Sequence, residues 1–261
     1  MPIALTTGQL EGYVAQGFFP FARIGACLMV APMFGARFVP ARTRIILAIA
    51  ITALVVPLIP TPAIAPFSPQ GFMVVFQQLL IGVALGFALQ VVFDALALAG
   101  QLLANSMGLS FAFNIDPLRG SSTPALGQLY VILATLTFLA LGGHVALLEM
   151  LVAGLYALPI GTTGLGQEGL WSLILWGGTL FSGAIGIALP GVTALLIVNL
   201  AFGVVSRAAP SLNLFAVGFP VSLVVGLLVV LAGIGPLQSS FTELLAHGFD
   251  FLRSLQGVGA R

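Results

Sequence analysis

The side chains best able to do chemistry lie inside apolar runs. Arg23 interrupts the first of them. A guanidinium there needs a counter-charge or a wet cavity. Asp94 and Glu149 are the acids that fall well inside apolar stretches, so an ion pair with one of them is expected. His144 follows Gly142 and Gly143, where a hydrogen-bonded packing role is the simple reading and a proton relay the sharper one. Two histidines and scattered acids have no metal-ligand spacing. Cys27 is the single cysteine, so no intramolecular disulfide can form. Gly164, Gly166 and Gly169 match G-x-G-x-x-G, but that pattern binds a dinucleotide only between a strand and a helix. Here it lies between apolar segments. Lysine is absent, which removes any phosphate-cradling Walker lysine. No nucleophile, base and orienting group converge, so the chain is expected to be no enzyme and to need no cofactor.

One polar pattern is ordered. At about 100° per residue, Asp94, Gln101 and Asn105 fall about 40°, 20° and 60° from Gln90, so four polar groups share a narrow stripe of one helix. Gln77 and Gln78 fall elsewhere. A stripe facing lipid would be costly, so it is expected to face protein, as interhelical hydrogen bonds, or water, as the wall of a conduit. Gly82 and Gly86 form a small-xxx-small pair beside it, which permits close helix approach.

The elements that carry these groups are dictated by composition. The chain has 261 residues, 59% of them hydrophobic and 6% charged. Its mean hydropathy is +1.17. A soluble domain is about 25% charged, so lipid or protein must cover this surface. The net charge of +1 gives no electrostatic case for nucleic acid.

Six apolar stretches stand out: Leu10–Phe34, Ile45–Ile59, Phe72–Ala104, Pro124–Leu158, Leu170–Val205 and Leu214–Gly235. A bilayer core needs about 20 helical residues. The third, fourth and fifth are too long for one crossing and must tilt, protrude or fold back as bent hairpins. Pro190, near the middle of the fifth, marks a kink or hairpin tip. The fold expected is an all-α polytopic membrane protein, a single domain over residues 1–261. Arg37, Arg42 and Arg44, then Arg119, then Arg207 sit in alternate connectors, which places those connectors in the cytoplasm and both termini outside. The first residues carry no basic region of a cleavable signal. Residues 237–256 alternate Leu237, Phe241, Leu244, Leu245, Leu252 and Leu255 with charged positions, an amphipathic helix that anchors at an interface or docks a partner.

An ordered set of landmarks then resembles a known family. Arg207-Ala-Ala-Pro210, followed by Asn213, Phe215 and Gly218-Phe-Pro220, is similar to the signature of the FliR family of flagellar export proteins and their injectisome relatives. Pro20, Arg23, Pro32, Phe34 and Pro40-Ala-Arg42 match its opening. Ala99-Gly100, Met107-Gly-Leu-Ser-Phe-Ala112 and Asp116-Pro117 match its central loop, with Gly143-His144, Leu158-Pro-Ile-Gly161 and Leu189-Pro190 further on. Members commonly carry glutamate where this chain has Gln101, which removes an ion pair there but keeps the need for a polar partner.

The resemblance implies long bent hairpins in a helical hetero-oligomeric export gate, built with FliP and FliQ homologues and working with FlhA and FlhB homologues in the bacterial inner membrane, at the flagellar basal body. Its cargo would be unfolded flagellar proteins, with membrane lipid as the surrounding medium. Within that frame Met107, Phe111 and Phe113, followed by Asp116, are candidates for a reversible pore seal, since large adaptable apolar side chains can close a narrow passage. Arg207, Pro210, Asn213, Phe215 and Pro220 would shape a turn and contact neighbouring subunits. An injectisome homologue or a small-molecule secondary transporter are the competing readings, although no internal repeat points to the latter.

Overall fold

The computed structural model describes residues 7–36, 39–60, 62, 64–109, 125–208 and 214–257, with side chains described from residue 16 in the first helix and from 218 in the eighth. Among these, the ordered elements are helical. They are α1 (Thr7–Val30), α2 (Ala41–Val55) with a 3-10 turn at Val56–Leu58, α3 (Pro69–Ser106), α4 (Ala125–Ala140), α5 (Gly143–Ala157), α6 (Gln167–Trp176), α7 (Thr179–Ala208), α8 (Leu214–Ala232) and α9 (Ile234–Gln256). This is the all-α, polytopic architecture expected. Three stretches are long and apolar enough to cross a membrane: Ala41–Leu58, Pro69–Ser106 and Gln167–Ala208. The number rises to five if α4 with α5, and α8 with α9, each count as one broken span.

Local chemistry explains the boundaries. Ser68 caps α3, its Oγ accepting the Gly71 N–H at 3.0 Å, and Pro69 opens the helix where no donor is needed. The fourth apolar stretch breaks at Leu141–Gly142, where Gly142 takes φ +71°, a left-handed conformation that glycine adopts without strain. The eighth and ninth helices meet at Gly233 with a bend of 56°.

Of the alternatives open to the long stretches, the third does not fold back; α3 runs unbroken for 38 residues. Nor is Pro190 a hairpin tip: it lies inside α7, and the interruption of the fifth stretch comes earlier, between Trp176 and Thr179, at Gly177-Gly178. Proline removes one backbone bond, whereas two consecutive glycines remove side-chain packing on both sides of the chain.

The described residues divide into two compact units, one drawn from within 1–90, 139–177 and 247–261 and the other from within 91–138 and 178–246. In the first, Phe19, Ile24 and Leu28 of α1 pack with Ala48 and Val55 of α2, Val74 of α3 and Leu155 of α5. Here α1 crosses α3 on the two glycines flagged by the sequence. A Cβ on Gly82 would strike the Arg23 carbonyl oxygen and the Ala26 Cβ, and one on Gly86 would come 2.8 Å from the Cys27 oxygen and 2.9 Å from the Ala31 nitrogen. Trp176 stacks on Phe251 with centroids 4.5 Å apart, its Nε1–H donating to Ala88 O at 2.9 Å.

The second unit is built around Phe93. Its ring meets Phe138 and Phe241 edge-on, with centroids 5.5 and 5.4 Å away. Gly100 and Gly127 let α3 and α4 touch at backbone distance, since a Cβ on Gly100 would lie 2.8 Å from the Gly127 Cα. The amphipathic pattern near the C-terminus is realised as α9, but its apolar side is occupied within the chain: Leu237, Phe241, Leu245, Leu252 and Leu255 are buried. That covers the face expected to meet an interface or a partner.

Replacing Gly82 with leucine must push backbone apart at the α1–α3 crossing and is expected to cost about 1–3 kcal/mol. Gly17→Ala, where nothing lies within 4 Å of an added Cβ, should instead stabilise α1 by about 0.5–1 kcal/mol. Thermal unfolding of the purified variants in detergent checks both signs.

Candidate functional site

Polar groups buried in the first unit converge on Arg23. The side chain is fully buried on α1. Its Nε–H donates to Gln78 Oε1 of α3 at 2.7 Å, Nη1 to Gly154 O at 3.0 Å and Nη2 to Leu158 O at 2.8 Å. Every one of these acceptors is uncharged, so the expected carboxylate partner is replaced. Glu149 is exposed, and Asp94 is not among these acceptors of the Arg23 guanidinium. The physical reason lies in α5. Gly154 and Leu158 mark its C-terminal end, where the last carbonyls lack intrahelical donors and the aligned peptide dipoles leave about half a negative charge. A planar guanidinium fits that end with separate donors for separate oxygens, and charge-assisted hydrogen bonds offset its desolvation.

Gln256, from the end of α9, closes over the same place. A Cβ on Gly154 would meet its amide at 2.5–2.9 Å. Gln78 Nε2 and both amide atoms of Gln256 are buried without a hydrogen-bond partner among the described residues. Sequence reasoning missed Gln78, Gly154 and Gln256 because it sought charge for charge. The available signal was the second polar residue in an apolar run, Gln78, on the side of α3 away from the stripe.

The polar stripe is carried by α3 as expected, on one continuous helix. Gln90 and Asp94 are half-buried, while Gln101 and Asn105 are exposed. Gln90, Asp94 and Asn105 each take part in a polar or electrostatic interaction. Near the end of α3, Asn199 of α7 donates from Nδ2 to Ser106 O at 3.4 Å and accepts from Ser222 Oγ of α8 at 3.0 Å. Asn199 thus ties three helices of the second unit.

Met107 is buried, its thioether lying against Gly226 of α8, where a Cβ would overlap it. Phe111, Phe113 and Asp116 lie outside the described residues, as do Pro210 and Asn213. Arg207 is exposed in the last turn of α7, a favourable place for a cation. Phe215 falls in the first turn of α8, and Pro220 sits exposed within that helix. His144 is the second residue of α5, half-buried, with Nδ1 unbonded among the described residues. Gly164, Gly166 and Gly169 lie between α5 and α6 and into α6; no strand precedes them among the described residues. Gly164 packs on Gln77. The described residues hold no cluster of three His, Cys, Asp or Glu able to grip a metal.

A helical chain with these landmarks in this order can be compared with known proteins. Residues 14–248 match the family described as bacterial export proteins, family 1. The chain belongs to that family. Similar relatives are each described as flagellar biosynthetic protein FliR. That of Pectobacterium carotovorum is 37% identical over 254 residues, 97% of either chain, and that of Escherichia coli K12 is 37% identical over the same length and shares. The Bacillus subtilis protein is 29% identical over 214 residues, covering 81% of this chain and 83% of its own. As a family 1 export protein with three helical stretches long and apolar enough to cross a membrane, the chain is a membrane protein.

Arg23→Lys keeps the charge but cannot reach several acceptors from one ammonium. It is expected to lose about 2–4 kcal/mol of stability, close to the loss of Arg23→Met. Gln256→Met, by contrast, removes amide atoms that have no partner and should be neutral or stabilising. Melting temperatures of the three variants, measured side by side, decide it; a lysine variant as stable as the parent would show that only charge matters.

Proposed function

We propose that this chain is a membrane component of the flagellar type III export apparatus, forming part of the gate that passes unfolded flagellar subunits across the inner membrane at the basal body. The observation that carries this reading is 37% identity, over 97% of both chains, with proteins described as flagellar biosynthetic protein FliR. The geometry supports it. Helix α3 has 38 residues, about 57 Å at the helical rise, against a hydrocarbon core of about 30 Å. Two-thirds of its most apolar window is buried, against 17% for Ala41–Leu58 and for Gln167–Ala208. Those two stretches present Ile46, Leu54, Ile174, Phe181, Ile197 and Val204 outward. Exposed apolar surface of this extent is suited to neighbouring subunits as well as to lipid. Homologues of FliP and FliQ are the subunits that the family resemblance supplies, with FlhA and FlhB homologues beside the gate.

In this reading the seal combines Met107 with Phe111, Phe113 and the following Asp116, and the polar stripe of Gln90, Asp94, Gln101 and Asn105 borders the path. Arg207 and the residues after it make subunit contacts. Cells lacking the chain should be non-motile and export no hook or filament subunits, both restored by the intact chain; swimming in its absence would end the proposal. Deleting residues 111–121 should leave the assembly intact but raise ion leakage through the membrane, measured with a potential-sensitive dye. Arg207→Ala should lower recovery of co-purifying subunits without changing the stability of the isolated chain.

A further inference from the structure

Helix α5 has two unlike sides. Leu147, Leu151 and Leu155 are buried. Outward, Val145, Ala153 and Tyr156 are exposed, and Glu149 stands exposed among them, two turns from either end of the helix. Around the carboxylate, Leu148, Val152, Ala153 and Tyr156 line a shallow open groove of about 560 Å³. Tyr156 does not serve the carboxylate, because its hydroxyl donates to Leu58 O at 2.9 Å. Among the described residues Glu149 has no hydrogen-bond or ion-pair partner.

A carboxylate in the middle of an apolar outward face is costly against hydrocarbon. Open water does not suit the apolar residues on either side of it. The surface that satisfies both is an apolar helix carrying one cation or strong donor at the matching height. A second copy of this chain does not offer one. All eight of its cations are arginines. Arg23, in the middle of an apolar helix, is fully buried and bonded, whereas Arg42 and Arg44 lie in the first turn of α2 and Arg207 in the last turn of α7, at helix ends and not at the mid-helix height of Glu149. We infer that this face of α5 docks a different membrane protein of the export apparatus, through an apolar helix whose arginine or lysine pairs with Glu149. The inference rests on the export-apparatus reading above.

The test uses the full chain in its own membrane. A photo-activatable amino acid at Ala153, and separately at Val145, is irradiated in cells and its adducts are mapped by mass spectrometry. The expected result is a cross-link to one other polypeptide, within two helical turns of an arginine or lysine. Adducts to lipid alone, or to a second copy, overturn the inference. In parallel, Glu149→Arg should lower recovery of that polypeptide about ten-fold, and Glu149→Gln less, since an amide oxygen still accepts a hydrogen bond. Reversing the charge of the partner's cation should restore recovery with Glu149→Arg. Unchanged recovery with Glu149→Arg also overturns it. Melting of each variant alone controls for folding. A chain that never joins the apparatus strikes the functional reading; one that joins it and exports normally, with lipid adducts only, strikes this inference alone.

Discussion

A single buried guanidinium sets the arrangement of the first unit. Arg23 reaches from α1 to Gln78 on α3 and to the carbonyl end of α5, so three helices are fixed by one side chain. The charge is tolerated because a helix end supplies diffuse negative potential through oxygens that need donors in any case. A carboxylate could pair with the same arginine, but it would itself need desolvating and further donors. Meeting the helix end instead satisfies two shortages together, and it dictates where α5 must stop.

The close approach that allows this comes from glycine. Gly82 and Gly86 bring α1 onto α3 with backbone against backbone, and Gly154 leaves room for the Gln256 amide above the Arg23 site. The second unit repeats the device with Gly100 against Gly127, and with Gly226 under Met107. In an apolar medium, helices gain little from hiding hydrophobic area from one another, so tight van der Waals contact and a few hydrogen bonds must hold them. Phe93 between Phe138 and Phe241, and Asn199 between Ser106 and Ser222, are the matching contacts in the second unit.

Function follows from what these contacts leave uncovered. The interior polar groups are spent on packing, whereas α2, α6, α7 and α8 turn large apolar side chains outward. Under the proposed function that apolar surface is completed by lipid and by other subunits, and the exposed Glu149 and Arg207 stand on it as polar positions.

Composition determined that lipid or protein must cover the chain, because 6% charge cannot solvate a surface in water, and the lengths of the apolar stretches made the helical membrane reading. Helical periodicity placed the stripe on α3, and spacing marked Gly82 and Gly86. Both are local properties, fixed by residue order. What the sequence could not determine was which groups meet. An arginine in an apolar run demands a partner, and the nearest formal answer was Asp94 or Glu149. The tertiary structure chose a helix terminus, which has charge only once α5 is folded and ends at Leu158. Likewise Pro190 reads as a kink or a hairpin tip, and α7 continues through it, while the helix boundary falls on Gly177-Gly178. The cost of a missing backbone bond is local, but whether packing on the neighbouring helix outweighs it is decided by the whole fold.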